Sequence, residues 1–144
     1  MTTLLLDASV LLAAFDPKDD QHEPARSLLE DEAITLATLD LARHEVANVA
    51  VRAWRAPESV APLLAAIERL VDDGGVISST DTLVTRAAEI GERQMISIYD
   101  AAYAAAADEA GHRLVSCDKR DLVSKDLAAL PATARSEARA SRRD

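Results

Sequence analysis

Acidic residues end two short apolar runs of this sequence. Asp7 comes directly after Leu4-Leu5-Leu6, and Asp118 follows the run that ends at Ser116. Both runs are typical of buried parallel strands. Because open α/β sheets place their ligand crevice at the carboxyl ends of the strands, the two carboxylates predict one shared site. Each aspartate has an alternative role as a cap of the following helix or turn.

Two more carboxylates lie on predicted helices. Asp100 shares an otherwise apolar helix face with Tyr103, since residues three apart are neighbours on a helix. Ser97 and Asp100 also have the spacing of a capping box, which leaves a structural role open. Glu45 falls at the edge of the apolar stripe of another helix, beside Val49, where a plain solvated side chain is the alternative.

Four carboxylates in one site favour a metal ion. At an effective dielectric near 20, like charges a few ångströms apart repel by roughly several kcal/mol per pair, and some would stay protonated at neutral pH. A divalent cation removes that conflict, and a ligand set of oxygens without His or Cys selects Mg²⁺ or Mn²⁺. Such ions bind phosphates readily, which points to phosphodiester chemistry.

The elements that must position these residues alternate between strand and helix. The patterns predict strands over residues 3–6, 34–37, 76–78 and 114–116, and helices over 9–15, 21–30, 39–55, 58–71, 80–93 and 98–110. This alternation predicts a mainly parallel sheet covered on both faces, a three-layer α/β/α sandwich.

Length and composition fit one globular domain. The chain has 144 residues, 49% of them hydrophobic and 28% charged, and we assign the domain to residues 1–131. From residue 132 to 144 there is no large apolar residue, and four arginines occur: Arg135, Arg139, Arg142 and Arg143. We expect this segment to be a disordered basic tail, with a contact to RNA or a partner as the alternative.

The charge balance and the cysteine count bound the function classes. With 25 acidic and 16 basic residues the formal charge is -9, which argues against broad electrostatic binding of nucleic acid. A single cysteine, Cys117, allows no internal disulfide and no zinc-finger spacing, which favours a reducing, cytoplasmic compartment. The apolar N-terminal run is interrupted by Asp7 and lacks a basic leader, so we expect neither a signal peptide nor a membrane span.

Four segments occur together in an order that resembles a known family. They are Leu6-Asp7-Ala8-Ser9-Val10-Leu11, His44-Glu45-Val46-Ala47-Asn48, Ile98-Tyr99-Asp100-Ala101-Ala102-Tyr103 and Leu114-Val115-Ser116-Cys117-Asp118. The sequence resembles PIN-domain ribonucleases, specifically the VapC-like toxins of bacterial and archaeal toxin–antitoxin pairs. The resemblance implies an α/β/α fold with a metal-binding quartet, Asp7, Glu45, Asp100 and Asp118. Supporting residues would be Ser9, Ser116, which stands where many relatives carry Thr, and Asp121, for which helix capping is the alternative.

The resemblance also implies an activity and partners. A VapC-like toxin would hydrolyse RNA with Mg²⁺, or Mn²⁺ as a substitute, would be neutralised by a cognate antitoxin protein, and would pair as a homodimer. Because the chain is acidic, basic residues near the site would have to help to bind RNA; the candidates by sequence proximity are Arg43, His44, Arg52, Lys119 and Arg120.

Two other function classes remain as alternatives. A non-catalytic PIN-like module would bind RNA or protein without cleaving it. A phosphoaspartyl switch or phosphatase also uses an aspartate after an early strand, but its dehalogenase-like form needs a second aspartate where Ser9 stands. Trp54 and Tyr103 are possible base-stacking platforms, although core packing fits their apolar helix faces better.

Overall fold

Four parallel strands form the centre of the molecule in the computed structural model, which describes residues 2–143. They are β1 (Leu4–Leu6), β2 (Leu36–Leu39), β3 (Gly75–Ile77) and β4 (Arg113–Val115), and their order in the sheet is β3-β2-β1-β4. Strands β1 and β2 are buried along their whole length, as expected of central strands that are covered on both faces.

Helices flank this sheet, so the predicted α/β/α sandwich is confirmed. They are α1 (Ala8–Phe15), α2 (His22–Glu30), α3 (Leu41–Arg52), α4 (Val60–Val71), α5 (Asp81–Gln94), α6 (Ile98–Ala110) and α7 (Pro131–Arg143). A 3₁₀ turn over Pro57–Ser59 precedes α4, and one turn of π-helix spans Lys119–Val123. Within residues 2–143, no helix combines the length and the apolar character that crossing a bilayer requires.

The sheet order creates a crevice next to β1. From β1 the chain continues to β2 and β3 on one side of the sheet, and β4 is added on the other side of β1. The strand order therefore reverses at β1, and such a reversal leaves a crevice at the carboxyl ends of the adjacent strands. Leu6 pairs with Val115, and the backbone N–H of Asp7 donates to the Val115 carbonyl at 3.1 Å. Asp7 and Ser116, which follow these paired residues, therefore emerge side by side.

Two glycines connect helix α4 to β3: Gly74 lies in the turn, and Gly75 is the first residue of the strand. Helix α4 ends at Val71, before the pair. A Cβ at Gly74 would lie 2.6 Å from the carbonyl oxygen of Leu36, and Gly75 has a φ of +96°. The two glycines are therefore needed for the close approach of β3 to β2 and for a left-handed backbone.

Contrary to the disordered tail predicted for residues 132–144, Pro131–Arg143 form α7; Met1, Asp144 and the Arg143 side chain lie outside the described residues. Ala134 is fully buried. The Nε atoms of Arg135 and Arg139 both donate to Oδ2 of Asp31 at 2.9 Å. One buried alanine and two arginines thus hold α7 against the domain. The prediction of disorder relied on the lack of large apolar residues, and this lack does not exclude a helix that is held by a small side chain and by charge.

Candidate metal centre

Asp7 lies at the carboxyl end of β1 and also caps α1. Its Oδ1 accepts hydrogen bonds from the backbone N–H groups of Ser9 at 3.0 Å and Val10 at 3.4 Å, and from the Ser9 hydroxyl. Only 5% of its surface is exposed. The capping alternative is thus correct for Oδ1, and it holds the carboxylate rigidly at the crevice.

Two serines join the loops that follow β1 and β4. The hydroxyls of Ser9 and Ser116 lie 3.3 Å apart. Ser9 Oγ accepts from the backbone N–H of Cys117 at 2.9 Å, and Ser116 Oγ accepts from that of Asp118 at 3.0 Å. These contacts fix the position of Asp118 relative to Asp7.

Asp118 caps the π-helical turn, and Asp121 does not. Oδ1 of Asp118 accepts from the backbone N–H of Asp121 at 2.9 Å. The Asp121 carboxylate has Arg120 as an ion-pair neighbour at 4.0 Å, with the Arg120 side chain 93% exposed. The cap therefore leaves the side chain of Asp121 available to the site.

Asp100 completes a close group of three carboxylates. Ser97 caps α6 by accepting from the backbone N–H of Asp100 at 3.1 Å, so the cap uses the backbone of Asp100. Asp100, Asp118 and Asp121 each offer an oxygen, and these oxygens lie within 4.8 Å of one another. Among residues 2–143, neither Asp100 nor Asp118 forms an ion pair with a basic side chain.

Glu45 stands outside this trio and is held by a tyrosine. The buried Tyr103 hydroxyl donates to Oε1 of Glu45 at 2.7 Å. Burial rules out a base-stacking role for Tyr103 and agrees with core packing, but the hydrogen bond was not foreseen. The sequence did place Tyr103 on the same helix face as Asp100, so its hydroxyl could have been expected near the candidate carboxylates.

One pocket unites the predicted quartet. Its volume is about 240 Å³, and its lining includes Asp7, Ser9, Glu45, Asn48, Asp100, Tyr103 and Asp118. A larger cavity of about 560 Å³ lies beside the start of β2, and its wall contains Arg26 and Arg69 as well as acidic residues. We place the candidate site in the smaller pocket because it holds uncompensated carboxylates.

The pKa values of three site carboxyls are raised. Burial is the main cause at Asp7, whose pKa rises from 3.8 to about 6. Burial, followed by the charges of Asp118 and Glu45, also raises the pKa of Asp100, and burial raises that of Glu45. Mutual repulsion thus acts in the expected direction, but desolvation is the larger effect.

The donor chemistry of the pocket suits a hard cation. Its ionisable lining groups are carboxylates and the Tyr103 phenol. Burial raises the pKa of the neighbouring Cys117 to about 12, so this residue stays a thiol. Oxygen donors without imidazole or thiolate fit Mg²⁺ or Mn²⁺.

Comparisons with known proteins bear on the family and the fold. The family model described as PIN domain matches residues 4–127. No curated protein matches the sequence significantly. A toxin–antitoxin complex from Klebsiella pneumoniae has a chain with a TM-score of 0.66 at 16% identity, covering 90% of this chain and 98% of that one.

Two further solved structures share the fold. PAE2754 from Pyrobaculum aerophilum has a TM-score of 0.68 at 21% identity, covering 96% of this chain and 90% of that one. VapC20 from Mycobacterium tuberculosis, described as a sarcin–ricin loop cleaving toxin, has a TM-score of 0.64 at 19% identity, covering 82% and 92%. With the family match over residues 4–127, the chain belongs to the PIN domain family.

Proposed function

We propose that this chain is a metal-dependent endoribonuclease that acts as the toxin of a toxin–antitoxin system. The observation that carries the proposal is the trio Asp100, Asp118 and Asp121, whose oxygens lie within 4.8 Å of one another beside a pocket shared with Asp7 and Glu45. Asp100 and Asp118 are partly buried and form no ion pair with a basic side chain within residues 2–143. Partly burying carboxylates without such partners is costly, and a cation offsets that cost.

The site carboxylates have two proposed roles, which are to bind a metal ion and to accept a proton. Asp7, Asp100 and Asp118, with Asp121 beside them, would hold Mg²⁺, or Mn²⁺ as a substitute, and Glu45 completes the predicted quartet. The chemistry that such an ion supplies is activation of water and stabilisation of charge on phosphate oxygens. One carboxylate takes the proton of the attacking water, and the products carry a 5′-phosphate and a 3′-hydroxyl.

RNA is the proposed substrate on two grounds. The fold is shared with VapC20, described as a sarcin–ricin loop cleaving toxin, and exposed basic residues border the carboxylates. Lys119 and Arg120 lie in the turn between Asp118 and Asp121 and are both exposed. They supply local positive charge in a chain whose formal charge is -9, where broad attraction of RNA is absent.

The proposed partners are an antitoxin protein and a second copy of the chain, in the cytoplasm. The fold is shared with a chain of a toxin–antitoxin complex, and the negative field of the pocket favours an antitoxin segment with a cationic side chain. Light scattering after size exclusion tests the homodimer, and recovery of one small protein with the chain from its native organism tests the antitoxin.

The activity is tested by sequencing RNA ends after brief expression, with Asp100→Asn as the inactive control. New 5′-phosphate ends that require Asp100, together with cleavage in vitro that needs Mg²⁺ or Mn²⁺ and stops in EDTA, are expected. Cleavage that survives excess EDTA contradicts the proposal. RNA binding without cleavage in either ion favours the non-catalytic module instead.

A further inference from the structure

The phenol of Tyr103 makes a contact that core packing does not require. Its ring is buried, with 1% of the residue exposed. Its hydroxyl donates to Oε1 of Glu45 at 2.7 Å, across 58 positions of sequence and between α6 and α3. Within residues 2–143, this is the hydrogen bond that reaches the Glu45 carboxylate.

Without that contact, no hydrogen bond or ion pair among residues 2–143 would hold the Glu45 carboxylate in the pocket. The side chain is partly exposed and lies at the edge of the apolar stripe of α3. A glutamate has several rotamers to lose when it is ordered. Its charge raises the pKa of Asp100, so the two carboxylates repel each other. Rotamer freedom and repulsion both favour a solvent-facing Glu45.

We propose that Tyr103 is a positioning residue, which fixes Oε1 of Glu45 and thereby directs the other carboxylate oxygen to the pocket that Asp7 and Asp100 line. The inference rests on the proposed metal-dependent function. The donor suits this task because a phenol is neutral and offers one proton. Lysine or arginine would hold Glu45 equally well but would add a positive charge that opposes binding of a divalent cation.

Helix α6 links the two halves of the site. Asp100 and Tyr103 lie on one face of it, three residues apart. Asp100 contributes to the trio, whereas Tyr103 holds the carboxylate outside the trio. A single helix therefore sets the separation between Glu45 and Asp100, and the Tyr103 hydroxyl is the group that connects Glu45 to it.

The experiment uses the two tyrosines of the chain as a matched pair. Tyr103→Phe removes the hydroxyl and keeps the buried ring, whereas Tyr99→Phe removes a hydroxyl from a residue of the same helix that is 62% exposed. We expect Tyr103→Phe to weaken Mn²⁺ binding about tenfold, as measured by electron paramagnetic resonance of free Mn²⁺, because lost outer contacts to ligands reduce affinity by about that factor. Tyr99→Phe should bind Mn²⁺ like the wild type.

A double-mutant cycle separates positioning from a general structural role. In a Glu45→Ala background, Tyr103→Phe should change Mn²⁺ affinity no further. In cleavage assays the single variant should lower kcat and leave KM for RNA unchanged, since Tyr103 is 1% exposed and offers RNA almost no surface to bind.

Two results overturn the inference. Unchanged Mn²⁺ affinity in Tyr103→Phe is one, whatever happens to its melting temperature. An equal loss of affinity in the Glu45→Ala background is the other, because Tyr103 would then act by another route. Wild-type protein that binds no Mn²⁺ contradicts the proposed function itself and this inference with it, whereas normal wild-type binding with an unaffected Tyr103→Phe contradicts this inference alone.

Discussion

Asp7 and Asp31 are both buried aspartates, yet their surroundings shift their acidity in opposite directions. Asp7 has neutral hydrogen-bond donors, and burial raises its pKa to about 6. Asp31 accepts from Arg135 and Arg139, and the hydrogen bond from Arg135 is the main reason that its pKa is lowered. The carboxylate that joins two elements carries its own counterions. The carboxylates of the pocket lack them, which is the expected state of a site that takes a cation from solution.

The largest expected effect is on RNA cleavage, which should depend on the carboxylates of the pocket and not on Asp31. Asp100→Asn should reduce RNA cleavage by more than about 100-fold, because even the outer contacts of metal ligands are worth about 10- to 100-fold. Asp31→Asn should cleave RNA like the wild type at a temperature where it is folded. Initial rates with saturating Mg²⁺ measure both.

Glu109→Gln provides the control for Asp100→Asn, since it removes an exposed carboxylate from the same helix. Loss of cleavage in Asp31→Asn comparable to that in Asp100→Asn would show that the distinction between structural and functional carboxylates is wrong.

The next effect concerns stability. Asp31→Ala should lower the free energy of unfolding by about 1 to 2 kcal/mol, since hydrogen bonds to charged groups are worth about that much. The partly exposed arginines, at 34% and 51% of their side chains, keep the figure below that of a fully buried pair. Urea denaturation with EDTA present measures it.

Removing residues 132–144 tests the same contact by deleting the arginines that bind Asp31. The truncated protein should melt at least about 5 °C lower, which corresponds to roughly 1 kcal/mol or more in a chain of this size. An unchanged melting temperature would support the disordered tail that the sequence predicted.

The sequence predicted the sheet and the pocket better than it predicted the contact between Asp31 and the arginines of α7. Asp7, Asp100 and Asp118 were identifiable because their charge conflicts with a strand end or an apolar helix face. Asp31 and Arg135 lie 104 positions apart, and no periodic pattern connects them. Pairing between distant charges depends on the final packing, so it was not predictable from local signals.

The sequence also did not predict which carboxylates lie closest together, namely those of Asp100, Asp118 and Asp121. Asp121 had two equivalent interpretations, as a metal residue or as a cap, because both use an acidic residue at the start of a helical turn. The structure assigns the cap to Asp118, which leaves Asp121 beside Asp100. Backbone geometry within one turn decides that outcome.

A smaller effect follows from the pH dependence of the metal-free protein. The folded pKa of Asp7 is about 6, above its ordinary value of 3.8, so the folded state binds the proton more tightly. Stability should therefore rise as pH falls from 7.5 through about 6 towards 4. The lowered pKa of Asp31 acts in the opposite direction, and its contribution is lost as pH falls below the ordinary value.

Asp7→Asn isolates the first of these two contributions. Asparagine retains the helix cap and cannot ionise, so the variant should be about 1 kcal/mol more stable than the wild type at pH 7.5 in EDTA, and the difference should vanish near pH 4. Added Mn²⁺ should stabilise the wild type more than the variant. Thermal melts at several pH values measure this, and a less stable variant at pH 7.5 would show that the carboxylate charge is not costly.

The smallest expected difference lies between the two arginines that hold Asp31. Both Nε atoms lie 2.9 Å from Oδ2 of Asp31, but the side chain of Arg135 is 34% exposed and that of Arg139 is 51% exposed. Water screens the more exposed pair more strongly, and Arg135 provides the larger shift of the Asp31 pKa. Arg135→Ala should therefore cost up to about 1 kcal/mol, and Arg139→Ala about half as much. High salt should reduce both losses, and the Arg139 loss more, because ions screen exposed pairs first. Equal losses that do not respond to salt would mean that the arginine stems stabilise α7 through packing, and the contrast between Asp31 and Asp7 would then depend less on paired charge than on buried surface.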